Sequence, residues 1–145
     1  MPTAEALKEE TDRLARLKEH PHHPLFRYRC MVNDRIEAAH QLKLPYESKC
    51  NRAHGHSYRL QAIVESPRLL DGMVVDFSFL KGVFRKYDHQ NLNEFFEPST
   101  AEKFAEILFD ELQDVVKAHN PLATVVEVGV GETETTWVSV QYSGR

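Results

Sequence analysis

The chain is 145 residues long, 41% apolar and 28% charged, with a formal net charge of −4, which are the proportions of one ordinary globular domain rather than a disordered or fibrous chain. The acidic balance argues against direct nucleic-acid binding, because no broad basic surface is left to neutralise a phosphate backbone. No stretch approaches the roughly 20 apolar residues of a membrane span, and the acidic start lacks the basic-then-apolar run of a signal peptide, so a cytoplasmic protein is expected.

Residues 1–24 read as a helical extension: Leu7, Leu14 and Leu17 stand among charges, and His20-Pro21 followed by His22, His23 and Pro24 stops the helix. Residues 25–145 read as a single domain. Residues 25–40 mix β-formers with charges and predict one long or bulged strand, followed by a polar loop over 41–53. Alternation over 54–65 predicts a strand with Tyr58, Leu60, Ala62 and Val64 on one face and Arg59, Gln61, Ile63 and Glu65 on the other. After turns at Ser66-Pro67 and Asp71-Gly72, Asp76 caps a helix carrying Leu80, Val83, Phe84 and Tyr87 at helical spacing. Ser99 with Glu102 has the pattern of a capping box, and Phe104, Ile107, Leu108, Leu112 and Val115 form the apolar stripe of a second helix. Strands over 125–130 and 137–142 close the chain. The order strand, strand, helix, helix, strand, strand predicts an α+β fold, a four-stranded antiparallel sheet with two helices on one face. Its two open edges invite pairing with further subunits.

His54 and His56 are two apart on a predicted strand, so both imidazoles leave the same face, with Gly55 between them. His40 ends the preceding strand and reaches the same point if the two strands pair. Three neutral imidazoles suit Zn²⁺ and leave a fourth tetrahedral position open. Cys50 stands four residues before His54; beside a divalent cation its thiol is either a fourth ligand, which makes a closed structural Cys-His₃ site, or a base or nucleophile. Asp88-His89 lies in a turn-like segment and is either an acid/base pair or a helix-end surface feature. Cys30 reads as a small core residue, and both cysteines as free thiols. His20, His22, His23 and His119 flank prolines or helix ends and are assigned no role.

Taken together, residues 36–40 (IEAAH), 50–56 (CNRAHGH), 75–77 (VDF), 87–89 (YDH), Leu92-Asn93, 98–100 (PST) and Glu132-Thr133 with Trp137 resemble, in order and spacing, the 6-pyruvoyltetrahydropterin synthase family. Within it they resemble the bacterial 6-carboxytetrahydropterin synthase branch of queuosine biosynthesis, over residues 31–142. The resemblance implies the T-fold, with four strands and two helices per subunit joined into a barrel, commonly a hexamer of two trimers with sites between subunits. It implies zinc on His40, His54 and His56, Cys50 as proton-transferring base, and Asp88 and His89 as a second acid/base unit. It also makes Glu132 the pterin anchor, with Thr133 beside it; a carboxylate matches the amino-pyrimidine edge through two parallel hydrogen bonds. The implied substrate is 7,8-dihydroneopterin triphosphate, cleaved to 6-carboxy-5,6,7,8-tetrahydropterin, acetaldehyde and triphosphate. The three-residue gap between Cys50 and His54 resembles this branch rather than the pyruvoyl branch, which eliminates triphosphate and rearranges. A folded, non-catalytic protein with a structural Cys-His₃ zinc site is the alternative of another class. Lys49 and Arg52 flank the thiol and are candidates for the triphosphate tail. Asp34, Glu134 and the long extension depart from the family pattern, and none of them removes a proposed ligand.

Overall fold

The computed structural model describes residues 1–19 and 22–144, so the predicted helix stop at His20-Pro21 lies outside the described residues. In chain order the elements are α1 (Ala4–Glu19), β1 (Tyr28–His40), β2 (His54–Ser66), α2 (Phe77–Arg85), β3 (Gln90–Asn91), α3 (Ala101–His119), β4 (Thr124–Gly131) and β5 (Val138–Gln141). The strands form one sheet in the order β3-β1-β2-β4-β5. The four main strands pair antiparallel as expected, while the two-residue β3 adds a short parallel fifth at the β1 edge, Ala38 opposite Gln90 and Ala39 opposite Asn91. Among the described residues no helix is long and apolar enough to cross a membrane.

β1 and β2 run in register along their whole length, from Tyr28 opposite Ser66 to His40 opposite His54. Because side chains alternate between faces, this register puts Val32, Ile36, Ala38 and His40 on the same side as Tyr58, Leu60, Ala62 and Val64. That side is the core, covered by Leu80, Val83 and Phe84 of α2 and by Phe104, Leu108, Leu112 and Val116 of α3. Phe104 sits at the centre, edge-on to Tyr58 and Tyr87 and stacked against Phe96. Each such aromatic pair contributes about 0.5–1.5 kcal/mol beyond its buried area. α1 buries Leu17 and is tied by Arg16 to Asp71 at 3.4 Å.

Three boundaries differ from expectation for local reasons. β1 begins at Tyr28 rather than Leu25. α2 ends at Arg85, so Tyr87 lies in the following turn; it is nevertheless buried and bonded through its hydroxyl to Glu111 of α3. The cap of α3 is Thr100, whose hydroxyl accepts from Lys103 N at 3.2 Å, in place of the Ser99–Glu102 box. Ser99 is drawn into the interior, where its hydroxyl faces Gln41 O at 3.2 Å and Asn93 Oδ1 at 3.1 Å.

Candidate metal centre

His40, His54 and His56 lie at the end of the β1–β2 hairpin, and their ring centroids are 4.5, 5.1 and 4.9 Å apart pairwise. Their ligand atoms and a carboxylate oxygen of Glu132 all lie within 4.8 Å of one another. Among the described residues no other cluster of three or more such groups is placed to hold an ion, and Cys50 is not in this one. His40 Nδ1 donates to Ser99 O at 2.6 Å, and His54 Nδ1 donates to Arg52 O at 2.7 Å. A carbonyl only accepts, so each Nδ1 carries the hydrogen, and in the neutral ring Nε2 is then the atom with the lone pair. His40 Nε2 is buried without a partner, an arrangement costly for a bare polar atom and suited to a metal bond. His56 Nε2 is 3.2 Å from Glu132 Oε1, outside hydrogen-bond geometry, and is likewise unpaired. Burial lowers the His56 proton affinity; Glu132 opposes that, and His40 and His54 reinforce it. Three imidazoles beside a carboxylate fit a divalent cation such as zinc, which binds such rings in their neutral form.

Backbone-directed bonds hold the segments around His40 and Cys50. Asn93 bonds Gln41 reciprocally, Gln41 N to Asn93 Oδ1 and Asn93 Nδ2 to Gln41 O, both at 2.8 Å, which fixes the end of β1 next to His40. Cys50 lies in a short 3-10 turn, Lys49–Asn51, capped by the Ser48 hydroxyl at 3.1 Å and tied back by Leu42 N to Cys50 O at 2.9 Å. Both cysteines are free; burial raises the Cys30 thiol, as expected of a packing residue.

Asp88 and His89 sit at the β3 edge, laced onto Glu37 of β1. Asp88 Oδ1 accepts from Glu37 N at 2.9 Å, and His89 N donates to Glu37 O. His89 adopts a left-handed φ of 60° there. The Asp88 carboxylate also holds His89 Nδ1 at 3.0 Å and accepts from Arg85 Nη2 at 2.8 Å. Arg85 in turn reaches Arg35 O at 2.9 Å and Asp34 at 3.5 Å, which gives the unexpected Asp34 a cationic partner. An open groove is lined by Glu37, His56, Ser57, His89 and Asn91. Among the described residues, Cys50, Asp88 and His89 are not grouped closely enough to share an ion. The cavity beneath α1, lined by Arg13, Arg16, Asp76, Phe79 and His119, holds none of these groups.

The Glu37 amide, with His89 and Arg85 assisting, keeps the Asp88 carboxyl below the ordinary 3.8. A depressed folded value stabilises the protein above the unfolded value, and that stabilisation disappears as pH falls through the lowered one. Asp88→Asn should accordingly unfold at lower urea than wild type at neutral pH, with the gap closing below about pH 4. Urea midpoints at both pH values check this.

Sequence reasoning passes over Ser99, Asn93, Arg85 and Arg59 as supports of the site. Asn93 and Ser99 fall within the quoted motifs without a stated role, and Arg59 leaves a further signal, since two glycines at alternate positions of β4, Gly129 and Gly131, mark a strand face that something approaches closely. The discounted histidines serve locally: His22 bonds Pro67 O at 2.9 Å, His23 stacks on Phe26, and His119 stacks on Phe79.

Residues 29–143 match the family described as 6-pyruvoyl tetrahydropterin synthase. The chain belongs to this family. A 6-carboxy-5,6,7,8-tetrahydropterin synthase of Synechocystis sp. is 42% identical over 91 residues, covering 54% of this chain and 70% of that one. The enzyme of that name from Bacillus subtilis is 34% identical over 112 residues, covering 70% and 77%. The match to a Pyrococcus horikoshii relative spans only 35% of that protein's length, at 39% identity. The solved 6-pyruvoyl tetrahydropterin synthase of Caenorhabditis elegans superposes with a TM-score of 0.63 at 27% identity, covering 81% of this chain and 97% of that one. Of the parts outside the family match, residues 1–28 contain α1.

Proposed function

We propose that this chain is a zinc-dependent lyase that converts 7,8-dihydroneopterin triphosphate and water to 6-carboxy-5,6,7,8-tetrahydropterin, acetaldehyde and triphosphate, a precursor step toward queuosine. The observation that carries the reading is the convergence of lone-pair nitrogens of His40 and His54 with His56 beside the Glu132 carboxylate, in a member of this family. A bound zinc ion supplies positive charge that offsets negative charge developing on the substrate's side-chain oxygens. Glu132 and Thr133 receive the pterin, the carboxylate accepting two parallel hydrogen bonds from its amino-pyrimidine edge. Cys50 takes the first proton, and His89, oriented by Asp88, moves the second. As the family resemblance implies, Cys50 and the Asp88–His89 pair serve one site from different subunits of a homo-oligomer, a hexamer in this reading, in the cytoplasm. The names of the Synechocystis and B. subtilis relatives and the short Cys50–His54 gap favour cleavage over the pyruvoyl-type outcome.

The test is turnover of 7,8-dihydroneopterin triphosphate with and without chelator, following pterin product, triphosphate and acetaldehyde together. The expected result is all three products, loss of turnover on chelation and recovery with Zn²⁺. Triphosphate release without acetaldehyde would establish the elimination-type reaction instead, and no turnover with metal bound would leave a zinc-stabilised binding protein.

A further inference from the structure

The connection between β4 and β5 that carries Glu132 spans residues 132–137, since β4 ends at Gly131 and β5 begins at Val138. Hairpin connections of this length do not hold their own shape by strand pairing. Here the shape is imposed from β2. Arg59 Nη2 donates to Thr133 O at 2.7 Å and to Thr136 O at 3.1 Å, drawing together both ends of the turn that follows Glu132. Within the turn, Thr133 N donates to the Thr136 hydroxyl at 3.1 Å, and the two hydroxyls meet at 2.8 Å.

The side chains that make this clamp lie on the sheet face away from the helices, and that face is cleared for them. Gly131 is opposite Arg59 in the β2–β4 register. A Cβ on Gly131 would stand 2.6 Å from Arg59 Nη2 and 2.8 Å from Cζ. A Cβ on Gly129 would stand 1.9 Å from the Trp137 indole. The guanidinium and the indole lie side by side over these glycines, 5.4 Å from Arg59 Cζ to the ring centre, within cation–π range. Continuing the register by one residue sets Glu132 across from Tyr58 on the opposite face, where its Oε1 lies 3.2 Å from His56 Nε2. Clamp and carboxylate are thus the two faces of one backbone step.

We propose that Arg59 is a positioning residue, whose guanidinium, seated over Gly131 and against Trp137, ties the turn to β2 and so sets Glu132 at the histidine cluster. The inference rests on Glu132 being the substrate-side carboxylate of the proposed site. A lysine reproduces the arrangement only in part: its ammonium can donate to two carbonyls, as the single Nη2 does, but it lacks the planar group that lies over Gly131 and against Trp137.

The test uses the zinc-loaded full chain with Arg59→Met, Arg59→Lys, Gly131→Ala, Glu132→Gln and the Arg59→Met/Glu132→Gln pair. Two readouts are needed: binding of neopterin by fluorescence titration, and backbone amide exchange at Thr133 and Thr136. Arg59→Met and Gly131→Ala should each weaken neopterin about tenfold and speed the two amides about tenfold or more, with Arg59→Lys between them and wild type. The double variant should bind neopterin no more weakly than Glu132→Gln alone, which separates action through Glu132 from general loosening. Unchanged amide exchange in Arg59→Met and Gly131→Ala would overturn the clamp, and losses that multiply in the double variant would overturn its action through Glu132. Should the wild type bind no neopterin while exchange responds as described, the pterin reading fails and the mechanical role of Arg59 stands.

Discussion

Replacing His54 with alanine is expected to abolish metal binding and turnover while leaving the metal-free fold near wild-type stability, whereas His40→Ala should lose the metal and destabilise the fold as well. Both changes remove one of three imidazoles, and because losses of mere outer partners cost 10–100-fold in affinity, removing a ligand should weaken zinc by more than about 100-fold. Their structural surroundings differ. His54 is partly buried and its Nδ1 bonds a carbonyl only two residues away, that of Arg52. His40 is 2% exposed, and its bond to Ser99 O joins β1 to the segment that starts α3. Truncating His40 leaves that carbonyl buried and unpaired, at a cost of about 1–3 kcal/mol. Chelator competition on each variant gives the affinity, and urea denaturation of the metal-free proteins gives the stability. A His54→Ala protein that holds zinc as wild type does would remove the histidine cluster as the metal site.

How much of this was readable beforehand depends on how far apart in the chain the interacting groups are. The alternation of His54 and His56 on a strand, and the meeting of His40 with His54 across one hairpin, follow from local periodicity and from the closing of a single loop. The core stripes of the two family helices follow from helical spacing in the same way. The tautomers do not: the hydrogen on His40 Nδ1 is placed by a carbonyl 59 residues later, on a segment whose apparent cap turned inward. The same holds for the Asn93–Gln41 pair and for Arg85, which joins Asp34, Arg35 and Asp88 only after three elements have packed. Glu132 was visible as a motif residue. Its position beside His56 depends on a β2–β4 register set partly by an irregularity at Ile63/Val64, for which the alternating pattern gives no sign.

Cys50→Ala is expected to keep its fold and its zinc but lose turnover by about 10²–10⁴-fold, the usual worth of a positioned proton-transfer group. Its 3-10 turn is held by Ser48 and Leu42 through main-chain groups, none of which involves the thiol, so an alanine preserves the turn. The thiol stands outside the His40/His54/His56/Glu132 group, so zinc affinity should change by less than about twofold. A structural Cys-His₃ site predicts the reverse: Cys50→Ala would shed the metal and lower the unfolding midpoint together. His89→Asn should share the first phenotype, because its imidazole is 77% exposed and the link to Glu37 runs through its backbone amide. If the proton-transfer groups come from neighbouring subunits, co-expressing Cys50→Ala with His89→Asn chains must restore part of the activity, since some mixed sites then pair an intact thiol with an intact imidazole. Recovery in the mixture alongside inactivity of each parent is the decisive measurement. A mixed oligomer as inactive as its parents would place the thiol and the imidazole in one chain's site, or remove one of them from the reaction.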